Sequence, residues 1–221
     1  MKITTLKPLL RLACLAALLM AAASASAITY TLDMFNISGY TGPFGTAAVT
    51  LNDATHASIT FTSGVVGGNI YLFGGEGSVD VNVNASSFTL GLVTGSNSGT
   101  GFTPGGWTDD GSGVVDGWGT FNQTIKSFDG FTHSSDSITF SLTNLSGTWA
   151  TDADVLDAND KGKFVAAHIF VTTSPADANN GAIVTGFASG GPTSVPDGGS
   201  TVMLLGAAFS GLAMVRRFIK R

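Results

Sequence analysis

Three histidines, one glutamate and a scatter of aspartates are the residues of this 221-residue chain with side chains suited to chemistry. Hydrolysis by a serine nucleophile needs the hydroxyl on a tight turn and an imidazole to take its proton. No G-x-S-x-G string occurs, and the nearest, Gly95-Ser96-Asn97-Ser98-Gly99, has Asn in the nucleophile's place. His56, His133 and His168 are each a candidate base, but residue types alone do not assemble a triad. His168 lies inside Val165-Ala166-Ala167-His168-Ile169-Phe170, where an imidazole on an apolar strand is expected to be a satisfied structural group. Glycoside hydrolysis needs two carboxyl groups, one of raised pKa. Glu76 sits in the turn Gly74-Gly75-Glu76-Gly77, and the aspartates fall mostly in Gly- and Ser-rich loops where water keeps them ionised. The expectation is a protein that is not an enzyme, with no catalytic residues.

Oxygen ligands for calcium are concentrated in Asp152-Ala153-Asp154-Val155-Leu156-Asp157-Ala158-Asn159-Asp160-Lys161-Gly162. Set against the EF-hand loop from Asp157, Asn159 and Gly162 fit the third and sixth positions. Lys161 takes a ligand position, and His168 stands where a bidentate Glu is required. Metal ligation is therefore left unknown, with Asp152, Asp154 and Asp157 as weak candidates and Asp109, Asp110 and Asp116 as another set; Ca²⁺ is the one cofactor considered. Carbohydrate binding would need exposed aromatic platforms, for which Trp107, Trp118, Tyr40 and Tyr71 lie near glycine turns, although Trp118 is as readily a core residue.

The elements that must carry these residues are strands. Thirty glycines with only 11% charged residues are the opposite of a helical composition. Alternation and β-branched enrichment mark strand candidates at 28–34, 57–62, 69–73, 78–82, 86–92, 119–126, 137–144, 164–172 and 183–187. The clearest is Ala57-Ser58-Ile59-Thr60-Phe61-Thr62, apolar on one face and hydroxylic on the other. This spacing predicts an all-β ectodomain over 28–187, a two-layer antiparallel β-sandwich of jelly-roll-like form. Residues 94–117, rich in Gly and Ser, read as a long loop tacked down by Trp107. Residues 152–159 carry the one helical hint, capped by Thr151 or Asp152. Residues 188–194 read as a flexible linker.

The ends of the chain are of a different kind. Residues 1–27 join a basic start, an apolar core and Ala25-Ser26-Ala27, a small-residue cleavage site with Ala25 and Ala27 at its key positions, and so form a secretory signal peptide. The single cysteine, Cys14, belongs to that segment, with Arg11 too close for a lipoprotein signal, so the body has no thiol for a disulfide or a metal. Between the ends, Lys126, Lys161 and Lys163 face fourteen carboxylates from Asp33 to Asp177, a net of −11. An acidic body excludes nucleic acid as a ligand, since phosphates are neutralised by clustered Lys and Arg. At the C-terminus, Val195-Pro196-Asp197-Gly198-Gly199-Ser200 precedes the apolar run 201–215 and then Arg216-Arg217-Phe218-Ile219-Lys220-Arg221. Fifteen residues of helix reach about 22 Å against a hydrocarbon core of about 30 Å, a marginal span that suits a transient membrane intermediate. Arg216, Arg217, Lys220 and Arg221 act as a basic stop-transfer signal that stays cytoplasmic. Gly206 with Ser210, and Ala207 with Gly211, form small-xxx-small pairs where another helix can approach.

In order and composition, these three C-terminal parts resemble the PEP-CTERM sorting signals, and most closely the V-P-D-S-G variant, with Val195, Pro196, Asp197, Gly198 and Gly199 as the motif. Gly198 replaces the Ser of that variant. The resemblance implies export by the Sec machinery, retention as an inner-membrane intermediate by a C-terminal transmembrane helix, and processing near the motif by an exosortase. It also implies a Gram-negative host that makes exopolysaccharide. The body looks like ectodomains common in that class through Asp116-Gly117-Trp118-Gly119-Thr120-Phe121-Asn122, Ser137-Ile138-Thr139-Phe140 and Ala166-Ala167-His168-Ile169, a likeness that brings no activity with it. The expected function is that of a structural protein of the cell surface or extracellular matrix, associated with biofilm or exopolysaccharide. The alternative is an envelope-attached carbohydrate- or calcium-binding module.

Overall fold

The computed structural model describes residues 27–193. Most of the expected signal peptide with Ala25, the sorting residues 195–199, the apolar run and the basic tail lie outside the described residues. Among the described residues no helix is long and apolar enough to cross a membrane.

The regular structure of the described chain is strand, with almost no helix: β1 (Ala27–Phe35), β2 (Gly45–Asp53), β3 (His56–Ser63), β4 (Val65–Val66), β5 (Asn69–Phe73), β6 (Val79–Val81), β7 (Phe88–Leu90), β8 (Thr94–Ser96), β9 (Thr108–Val115), β10 (Gly119–Lys126), β11 (Ser137–Asn144), β12 (Val165–Thr173) and β13 (Val184–Thr193). Single 3₁₀ turns stand at Phe131–His133, Asp152–Asp154 and Ala178–Asn180. The strands form one sheet in the order β7-β11-β3-β2-β1-β13-β12-β6-β10-β9, with β5 continuing β6 along β12 and β8 beside β7 on β11. The sheet nearly closes on itself. Beyond β5, Phe73 and Ser135 exchange backbone hydrogen bonds of 2.8 and 2.7 Å, which brings the path back to the residues just before β11.

Alternation decides which side chains line the interior, because successive residues of a strand point to opposite faces. Leu32 of β1, Val49 of β2, Ile59 and Phe61 of β3, and Phe140 and Leu142 of β11 meet Tyr71 and Phe73 of β5, Val79 and Val81 of β6, and Ile169 and Val171 of β12 in one core. Phe61 packs edge-on to Phe73 at 5.9 Å and stacks with Phe140 at 6.3 Å. On the other face of β12, Phe170 packs with Leu72 and Ala176, and Ala166 with Val115 and Phe121. Burial on both faces explains the near-continuous apolar run Val165-Ala166-Ala167 of that strand.

Four strands were not expected. β2 reads Gly-Thr-Ala-Ala-Val-Thr-Leu, and its inward positions are small because a side chain at Gly45 would strike Phe73 Cζ at 2.8 Å. β4 is two residues long, and β8 and β9 lie within 94–117, which is therefore not a structureless loop. β9 is almost wholly exposed and is held by its ladder with β10, a support that hydropathy does not register. The linker expected at 188–194 is also overturned for 188–193. These residues are the second half of β13, because glycine at 190 lets β1 come so close that a side chain would run into the Thr31 carbonyl. The helical hint at 152–159 shrinks to the turn Asp152–Asp154, where Asp154 Oδ2 accepts from Thr151 N at 2.8 Å and from Thr151 Oγ1 at 2.9 Å.

Candidate functional site

β1 and β13 place the two ends of the body side by side. Their antiparallel register runs from Thr29 opposite Thr193 to Phe35 opposite Ala188, so the first strand starts where the last one finishes. Ala27, the residue expected to end the signal peptide, is the first of β1 and is exposed. Cleavage after it removes one exposed strand residue and leaves Tyr30 and Leu32 buried in place. At the other end, Pro192 has no N–H to give the ladder, yet it is accommodated opposite Tyr30 at the finishing end of the strand. Ser194 alone separates β13 from the motif residue Val195.

The aspartates considered for calcium are occupied within the fold. Asp152 Oδ1 accepts from Leu51 N at 2.6 Å, tying the 3₁₀ turn to β2. Asp154 caps its own turn, and Asp157 Oδ1 accepts from Ala158 N at 2.7 Å. Asn159 Oδ1 accepts from Lys161 N and Lys163 N, and Asp160 Oδ1 from Thr120 N, so residues 157–163 form a hydrogen-bonded brace against the β9–β10 turn. Asp109 accepts from Gly111 N and Gln123 Nε2, Asp110 pairs with Lys126 at 2.9 Å, and Asp116 accepts from Asn36. Among the described residues no three His, Cys, Asp or Glu side chains gather where they could hold a metal ion.

The three histidines stand apart. His56 meets both Asp53 and Thr55 through Nδ1, in one exposed turn. Because both contacts fall on the same nitrogen, no proton can be relayed across the ring between hydroxyl and carboxylate. Hydrogen bonds from Thr55, then from His56, hold the Asp53 carboxyl well below the usual range. His133 Nδ1 donates to Thr103 O at 2.8 Å. His168 donates from Nδ1 to Gly74 O at 2.8 Å, with its ring stacked on Phe187 at 4.8 Å and tilted against Phe170 at 4.9 Å. Burial lowers its pKa, the effect expected when a cation must leave water. It is the satisfied strand histidine that its apolar setting suggests.

The glycine turn around Glu76 has a structural purpose. It carries the chain from β5 to β6 past His168, whose N donates to Gly77 O while its O accepts from Gly74 N. Ser78 Oγ donates to Gly75 O at 2.7 Å and accepts from Ser127 N at 3.0 Å, and Ser127 Oγ accepts from Gly75 N at 3.0 Å. Glu76 is exposed and lies 3.6 Å from Lys126. Of the aromatic platforms, Tyr71 is buried and donates to Thr41 O at 2.9 Å. Tyr40 packs edge-on to Phe35, and Trp107 rests on the core over Gly95. Trp118 donates to Phe187 O at 3.0 Å beneath the Lys163 ammonium. Among the described residues the one ring left largely exposed, at 61%, is Phe128, beside His133 and Gly106, which no alternation pattern singled out.

Asp80 was also missed. It lies between Val79 and Val81 on a strand buried on both faces, and neither carboxyl oxygen has a hydrogen-bond partner. The signal was an acid flanked by valines, Ser78-Val79-Asp80-Val81, an alternation of polar and apolar residues that reads equally as a half-exposed strand.

The described body is all-β, and its last strand ends at residue 193, just before the expected sorting motif. Comparison with known families agrees. The family model described as the VPDSG-CTERM motif matches residues 194–218, so the chain carries a sorting segment of the PEP-CTERM type. No curated protein and no solved structure matches.

Proposed function

We propose that this chain is a non-enzymatic structural protein of the Gram-negative cell surface or extracellular matrix, associated with exopolysaccharide and released from an inner-membrane intermediate by an exosortase. The observation that carries this reading is the VPDSG-CTERM match at 194–218, starting at the residue after β13. The motif indicates an exported protein handled at the membrane and sorted by an exosortase. The structural role draws support from side chains that are occupied in holding the fold: the aspartates brace turns, His133 and His168 bond to backbone carbonyls of neighbouring segments, and the tryptophans are tucked in. The body is best described as a curled two-layer, jelly-roll-like sandwich, with the β1-β2-β3-β11 wall facing the β5-β6-β12 wall across Phe61 and Phe73. Intact-mass analysis of the mature protein from its host tests the reading. The expected mass starts at Ile28 and ends within 194–200, with any attached group adding to it. A mature protein that retains 201–221 would overturn it.

A further inference from the structure

One carboxyl group of this protein is taken wholly out of water without a hydrogen bond. Asp80 has 0% exposure, and Oδ1 and Oδ2 are both without partners; the buried Thr124 Oγ1 is unpartnered too. The two residues are direct register partners across the β6–β10 ladder, with Ala166 of β12 on the other side of Asp80. Gly77, at φ +63°, closes the turn over the carboxyl so tightly that a Cβ there would lie 3.2 Å from Oδ2.

Among the described residues no charge nearby compensates an anion at this position. On β9, Asp109 and Asp110 are themselves acidic. On β10, Lys126 is shared between Asp110 at 2.9 Å and Glu76 of the glycine turn at 3.6 Å. His168 on β12 is held to Gly74 O and disfavoured as a cation by burial. Phe187 and Ser189 of β13 carry no charge. A buried ionised carboxylate with neither donor nor counter-ion is strongly unfavourable, whereas the neutral acid carries no charge to desolvate.

We propose that Asp80 is built into the fold as a neutral carboxylic acid beside its register partner Thr124, and that losing this proton loosens the β9–β10 hairpin from β6. Asp80 is a proton-dependent latch. Burial, with a smaller contribution from the negative charge of Asp110, raises the Asp80 pKa to about 7. Thr124 Oγ1 acts in the opposite direction, but it does not meet either carboxyl oxygen in hydrogen-bonding geometry, so burial prevails. Since the folded-state value lies above the unfolded one of 3.8, the unfolded chain ionises first as pH rises, and stability falls from about pH 4 until it levels off above pH 7.

The test compares the full chain with Asp80→Asn in detergent micelles by thermal melting at pH 5 and pH 8. The uncharged isostere is expected to melt several degrees above the wild type at pH 8 and to lose that advantage at pH 5. Hydrogen exchange of residues 111–125, corrected for intrinsic rate, is expected to quicken between pH 6 and 8 in the wild type alone. If Asp80→Asn melts lower at both pH values, or keeps the wild-type pH slope, the latch is wrong. Should that variant not fold, infrared spectroscopy of the wild type decides. A carboxylic acid C=O band that persists at pH 6 and disappears above pH 7 supports the latch, and its absence at pH 6 overturns it.

Discussion

Thr193, the last residue of β13, stands opposite Thr29, the third residue of β1, in an antiparallel ladder flanked by β2 on one side and β12 on the other. The final strand is therefore central in the sheet, and the residues just before the sorting motif complete the fold. A chain that ends at residue 193 is expected to melt cooperatively. One that ends at 187 loses the β1 partners of 188–193 and is expected to show no cooperative transition by circular dichroism, since an open β1 edge leaves its backbone groups unpaired.

The same ladder makes a point prediction. Gly190 approaches β1 so closely that a Cβ would collide with Thr31 O and C, both backbone atoms with nowhere to go. Gly190→Ala is expected to cost about 1–3 kcal/mol in denaturant unfolding, the range of forced overpacking. Gly191→Ala, whose nearest neighbour would be a Phe164 ring carbon at 4.0 Å, serves as the control and should change little.

Where alternating side chains face one core and one solvent surface, the strands were legible from sequence. β3, β5, β10, β11 and β12 fall at or within a residue of their expected limits. The failures have physical causes. β2 turns glycine and alanine inward because Phe61 and Phe73 fill the space, so its pattern lacks large residues. β9 buries little besides Val115 and depends on a partner strand. The Gly190-Gly191-Pro192 end of β13 has a linker's composition and a strand's neighbours, a distinction that only the approach of β1 makes. The sorting motif was legible because it is read as a linear string. Asp80 was not, since its isolation comes from elements distant in sequence.

Calcium addition is expected to leave the melting temperature of the body unchanged, because ligand binding stabilises only where a site exists in the native state. Asp152 instead works as a backbone acceptor for Leu51 N. Asp152→Ala should destabilise by about 1–3 kcal/mol, the cost of stranding a partly buried donor. The loss should be the same in EDTA as in millimolar calcium. A melting temperature that rises with calcium in the wild type and not in Asp152→Ala would assign the residue to a metal instead.

His168 offers a second pH dependence, opposite in sign to that of Asp80. Its Nδ1–H donates to Gly74 O, which fixes the neutral tautomer, while burial between Phe187 and Phe170 disfavours the cation. With the folded pKa below the unfolded value of 6.5, the unfolded chain takes up a proton first as pH falls. Stability from this group is thus complete above about pH 6.5 and declines toward acid. In nitrogen-15 NMR spectra, the ring should show the Nδ1–H tautomer at neutral pH and a titration midpoint below 6.5; a midpoint above it would contradict the assignment. In the wild type this slope is opposed by Asp80, which loses stability with rising pH over the same interval. Asp80→Asn removes that opposing contribution, so between pH 5 and 7 the melting temperature of the variant should rise with pH relative to that of the wild type.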